Sequence, residues 1–116
     1  MKKTIRPSPM AIRQLTRLGE NIKMARLRRN LSLRDVAQRA GISINTVVAI
    51  EHGETGVSIG AIAGVLHCLN LAEDISRVAL DDVLGRKLQD LKMTKKKRAP
   101  KKPKAQELLE LIKESK

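Results

Sequence analysis

The sequence contains no tryptophan, tyrosine or phenylalanine. Any core must therefore be built from Leu, Ile, Val, Ala and Met. The same absence removes a binding mechanism, because single strands and RNA loops are usually held by stacking bases on aromatic rings. Duplex DNA and protein partners remain. A single cysteine, Cys68, excludes an internal disulfide and fits a reducing compartment. No apolar run nears the ~20 residues that span a bilayer. The basic N-terminus is not followed by the apolar stretch of a secretory signal. A cytoplasmic protein without a membrane partner is expected. His52 and His67 are the sole histidines and lack the spacing of metal ligands. The glycines near residues 53–64 are not followed by the Gly-Lys-Ser/Thr of a phosphate loop, and Asp81-Asp82 reads as a helix start. No enzyme, metal or cofactor is expected.

What is plentiful is positive charge. The 116 residues hold 24 Lys and Arg against 12 Asp and Glu, a net charge of +12. Such an excess in a small chain points to a polyanion. Its placement is uneven. Lys2, Lys3, Arg6, Arg13 and Arg17 precede any acid, and Lys95, Lys96, Lys97, Arg98, Lys101, Lys102 and Lys104 form a second acid-free run. Between residues 32 and 94 the signs nearly cancel. Basic tails of this kind also serve solubility.

Helical spacing dominates the rest, and no strand pattern appears. Residues 1–7 read as a flexible basic arm. Ser8-Pro9 is a helix start, a Ser cap before Pro at the first helical position. Ile12, Leu15, Leu18, Ile22 and Ala25 then recur at three and four, one stripe of an amphipathic helix. Gly19 is a weak point that could divide it, and Asn30 ends it. Ser32 caps a second, short helix, with Asp35 three residues on as in a capping box. Ser43 caps a third and Ser58 a fourth, with Ile59, Ile62, Leu66 and Leu69 on one face. Residues 73–92 hold one or two more helices. Residues 93–104, rich in Lys and Pro, read as a disordered linker. Residues 105–116 form a short amphipathic segment with Leu108, Leu111 and Ile112 on one face.

The informative stretch is LSLRDVAQRAGISINTVVAIEHG, residues 31–53. It reads as a short helix, a tight turn at Gly41 and a second short helix. Ala37 is small where two helices cross, and Val36, Ile42, Val47 and Ile50 face inward. The second helix is left on the outside, shaped for a major groove.

Leu31-Ser32, Val36-Ala37, Gly41-Ile42-Ser43, Val47, Ile50-Glu51 and Gly53, with Leu18-Gly19 and Arg26 before them, resemble the Cro/C1-type (XRE) helix-turn-helix family. The resemblance covers roughly residues 18–70. It implies an all-α, lambda-repressor-like five-helix DNA-binding domain over residues 8–92 that also carries dimer or partner helices. Helix three, residues 43–51, would be the recognition helix. Carried over, Ile44, Asn45, Val48 and Ala49 become base-reading positions, with Asn45 suited to an adenine edge and Ile44 and Val48 to thymine methyls. Leu33 (through its backbone N–H), Arg34, Ser43, Thr46 and His52 become phosphate contacts. Arg26 and Glu51 match a buried structural ion pair of the family. Many members carry Gln where Leu33 and Ile44 stand here, so direct readout is thinner and DNA shape has more to supply.

Residues 76–99, with the Ser8-Pro9 start, resemble HipB-type regulators encoded beside HipA-like toxin kinases. That implies a homodimeric repressor that autoregulates a toxin–antitoxin operon and meets the toxin or a companion protein. Ile75, Val78, Leu84 and Leu88, with Leu108, Leu111 and Ile112, are the expected dimer or partner surface. Three other readings stand beside it: a stand-alone phage-type regulator, an adaptor with weak DNA binding, and a nonspecific nucleoid-binding protein.

Overall fold

The computed structural model describes residues 6–98 and 112–113. The chain divides into two compact units, Met1–Ser76 and Arg77–Lys116. The division falls inside the stretch expected to form a single domain to residue 92. Every regular element among the described residues is helical.

The first unit holds α1 (Pro9–Arg28), α2 (Leu33–Ala40), α3 (Ile44–Glu51), α4 (Ile59–Cys68) and most of α5 (Glu73–Arg77). Serine starts each of the first four. Ser8, Ser32, Ser43 and Ser58 adopt extended backbone, and each hydroxyl accepts from the N–H three residues on. Each thereby satisfies one of the donors that a helix start leaves without a partner. Pro9 follows Ser8, where its missing N–H costs nothing. Left-handed backbone ends each of the first four helices: Asn30 follows α1 at φ 53°, Gly41 caps α2 at φ 71°, Gly53 follows α3 at φ 73° and Asn70 follows α4 at φ 64°.

At Ser32 the capping box is complete. The Ser32 N–H donates to Asp35 at 2.9 Å, and the Asp35 N–H donates to the Ser32 hydroxyl at 3.0 Å. The backbone bond from Ser32, then its hydroxyl, hold the Asp35 carboxyl below its ordinary value. A depressed folded value means that the carboxylate stabilises the fold at neutral pH and loses that effect as pH falls through the folded value. Ser32→Ala should therefore cost about 1 kcal/mol. Asp35→Ala should be less stable than wild type at neutral pH, with the gap closing below about pH 4. Urea unfolding at both pH values checks this, and a gap that widens in acid would contradict it.

The core is wholly aliphatic. Ile22 and Ala25 of α1, Val36 and Ala37 of α2, Val47 and Ile50 of α3, and Val65, Leu66 and the α4 cap Leu69 are buried together. Leu18, Leu31, Ile42 and Ile62 pack around them half-buried. α2 packs on α3 and α4, and α1 on α3.

Gly19 does not divide α1, which runs unbroken for 20 residues. Its role is close approach. A Cβ there would collide with the Glu51 carbonyl oxygen and lie 2.6 Å from that of Ile50. Gly53 returns the contact from just beyond α3. It has φ 73°, and a Cβ on it would lie 2.7 Å from the Leu15 carbonyl oxygen and from the Thr16 N and Cα. Two glycines thus let α1 and the end of α3 meet backbone to backbone.

Three expectations change. Ile12 is 43% exposed and Ile59 74% exposed, although both lie on apolar stripes. The stripes overrun the surfaces that cover them. In the second unit, α6 (Val83–Arg98) continues through residues 93–98, the start of the stretch whose composition reads as a disordered linker. Asp82 starts this helix, its carboxylate accepting from the Gly85 N–H at 2.9 Å. The nearby Arg86–Asp81 pair is 3.0 Å long but largely exposed, so it adds little. No helix among the described residues is long and apolar enough to cross a membrane.

Candidate nucleic-acid interface

The turn between α2 and α3 decides which face of α3 is free. Ile42 and Val47 follow Gly41 into the core, and Ile50 and Glu51 bury the same side one turn later. At about 100° per residue, Asn45 lies opposite that buried side. Ile44 and Val48 flank it on one edge, Thr46 and Ala49 on the other. Asn45 and His52 are exposed, Ile44 is 39% exposed, and Thr46, Val48 and Ala49 are half-buried. The four residues expected to read bases therefore share the outward side of one helix.

An ion pair sets the pose of that helix. The Arg26 Nε donates to Glu51 Oε2 at 2.7 Å and Nη2 to Oε1 at 3.1 Å. The remaining arm, Nη1, donates to the Leu31 carbonyl at 2.9 Å. Both residues are 7% exposed. The last residue of α3 is thereby fastened to α1 and to the link before α2. Each side-chain nitrogen of Arg26 and each carboxylate oxygen of Glu51 thus has a partner, as a buried pair requires.

The expected phosphate positions differ in what they offer. Leu33 packs half-buried against the core, so its side chain is structural. Its backbone N–H and that of Arg34 lie in the first turn of α2, where helices leave donors open. The Arg34 side chain is exposed. The Ser43 hydroxyl accepts from the Thr46 N–H at 3.1 Å and shares a 2.8 Å bond with the Thr46 hydroxyl. That shared bond uses one of two hydroxyl protons and leaves one for an anion.

Sequence reasoning missed Glu54. It lines a shallow cleft with Asn45, Thr46 and Ala49 on one side and Val57 and Ser58 on the other. A carboxylate here can accept from a cytosine amino group and repels phosphate. The signal was the GETG loop itself, an acid between two glycines directly after α3.

The expected partner residues do not share a unit. Ile75 belongs to the first, where it packs half-buried against the core. Val78, 76% exposed, and the half-buried Leu84 and Leu88 belong to the second. Ile112 is 38% exposed, whereas Leu108 and Leu111 lie outside the described residues. No group of three or more His, Cys, Asp or Glu among the described residues is placed to hold a metal.

A family model described as a helix-turn-helix domain matches residues 17–77, more than half of the chain. No curated protein matches. Among solved structures, the chain is similar to the crystal structure of the clp gene regulator ClgR from Corynebacterium glutamicum. The two are 24% identical, with 82% of this chain and 100% of that one covered and a TM-score of 0.48. The family match coincides with α1 from Arg17 onward and with all of α2 to α5, and so includes the helices packed against α3. The chain therefore belongs to the helix-turn-helix domain family of DNA-binding proteins.

Proposed function

We propose that the chain is a cytoplasmic, sequence-specific transcriptional repressor that binds an inverted-repeat operator in duplex DNA as a homodimer. The observation that carries this reading is α3 itself. Its inner side is fixed by Val47, Ile50 and the Arg26–Glu51 pair, and its outer side presents Asn45 between two edges. A single such helix reads few base pairs, and a second copy supplies the paired half-site. Within this reading, the chain autoregulates a toxin–antitoxin operon as its HipB-like component, with a HipA-like kinase as protein partner. The HipB-like residues 76–99 support that subtype over a stand-alone phage-type regulator.

Selection from random duplex DNA at near-physiological salt tests the reading. The expected result is an enriched inverted repeat. Asn45→Ala should weaken binding to it by about 1–3 kcal/mol at one base pair per half-site. Steep salt dependence with no enriched sequence would instead assign binding to the basic tails.

A second reading, an adaptor that chiefly binds protein, draws on the second unit. Val78, Leu80 and Val83 are each more than half exposed there, and Leu91 is 45% exposed. It predicts that Leu84→Ala/Leu88→Ala abolishes function while Asn45→Ala leaves it intact.

A further inference from the structure

α3 is unusual in what it can say to a base. Its sequence, INTVVAIE, contains no Arg, Lys or Gln. The bidentate grip on guanine that Arg or Lys provides is therefore not available from this helix. Its one carboxylate, Glu51, is buried and bound to Arg26. The Ser43 and Thr46 hydroxyls share one bond at the helix start, and the proton it leaves is the one assigned above to an anion. One amide remains, that of Asn45, which is exposed and makes no hydrogen bond among the described residues. Everything else on the outward side is a methyl surface, from Ile44, Val48 and Ala49. Ile44 and Val48 are not required by the core, which takes Val47 and Ile50 from the same helix. They lie four residues apart, about 6 Å along the axis, which matches roughly two base-pair steps.

We propose that this edge recognises the 5-methyl group of pyrimidines in the major groove. The operator half-site then carries thymine opposite Ile44 and Val48, beside an adenine read by Asn45. This inference rests on the assignment of α3 as the base reader. Its consequence goes further. 5-Methylcytosine carries the same methyl at the same place in the groove, so it substitutes for thymine at these steps whereas cytosine does not. Methylation of a cytosine there converts a poor site into a good one.

The test uses the full chain and the duplex enriched from the random pool. Each thymine is replaced in turn by uracil, which removes only the methyl. One or two positions per half-site should lose about fourfold in affinity per methyl. At those same steps, a 5-methylcytosine–guanine pair should bind about fourfold tighter than a cytosine–guanine pair. Ile44→Ala/Val48→Ala should flatten both differences, with helicity by circular dichroism showing that the variant is folded. Uracil that is neutral at every position in the wild-type complex would overturn the inference and leave base reading by α3 standing. So would uracil losses that persist in the folded double variant. A pool that yields no enriched duplex would overturn the base-reading assignment and this inference together.

Discussion

Glu51→Ala is expected to destabilise the protein by about 3–5 kcal/mol. The variant deletes both acceptors of the Arg26 Nε and Nη2 donors and leaves a guanidinium that is 7% exposed with one remaining bond, to the Leu31 carbonyl. A small domain has on the order of 5–15 kcal/mol in total, so the loss leaves little. Urea unfolding followed by far-ultraviolet circular dichroism measures it. The pair itself is a different matter. Arg26→Met/Glu51→Leu removes both charges together and should cost far less than either single deletion, because no charge is stranded. A Glu51→Ala loss below about 1 kcal/mol would mean that water reaches Arg26, as at a surface pair.

The second large effect concerns the glycines between α1 and α3. Gly53→Ala should cost about 3 kcal/mol or more, from left-handed backbone and from overpacking against the Leu15–Thr16 backbone. Gly41 is the control. It shares the left-handed backbone, φ 71° against 73°, but a Cβ on it meets nothing within 4 Å. Gly41→Ala should therefore show only the conformational part, about 1–2 kcal/mol. Gly19→Ala isolates the other part. Helix propensity alone favours alanine by about 1 kcal/mol, yet the new methyl would drive into the Glu51 carbonyl oxygen. Destabilisation is expected, with the sign opposite to the propensity. Thermal unfolding of the three variants separates the two contributions, and a stabilised Gly19→Ala would refute the close approach.

These glycines also mark where sequence reasoning reaches its limit. The serine caps, the Gly41 turn and the inward Val36, Val47 and Ile50 were legible because each is a local matter of spacing or backbone preference. The Arg26–Glu51 pair, 25 positions apart, was reached only through family resemblance. Gly19 reads as a weak point of α1 because its reason lies on another helix. Ile12 and Ile59 lie on apolar stripes, and periodicity gives a face but not the extent of its cover. Residues 93–98 read as linker because like charges and nearby prolines suggest disorder, yet Lys and Arg are good helix formers. Glu54 has only its place in the GETG loop to mark it in the sequence, and its position beside Asn45 follows from how that loop folds.

The aliphatic core has a last consequence, which is optical. A chain without aromatic side chains is transparent in the near ultraviolet and emits nothing of its own. One tryptophan introduced at Ile44 would be the sole protein fluorophore, on the exposed edge of α3 and outside the buried core. Any change in its emission on mixing with duplex would report that edge alone, without background from the rest of the fold.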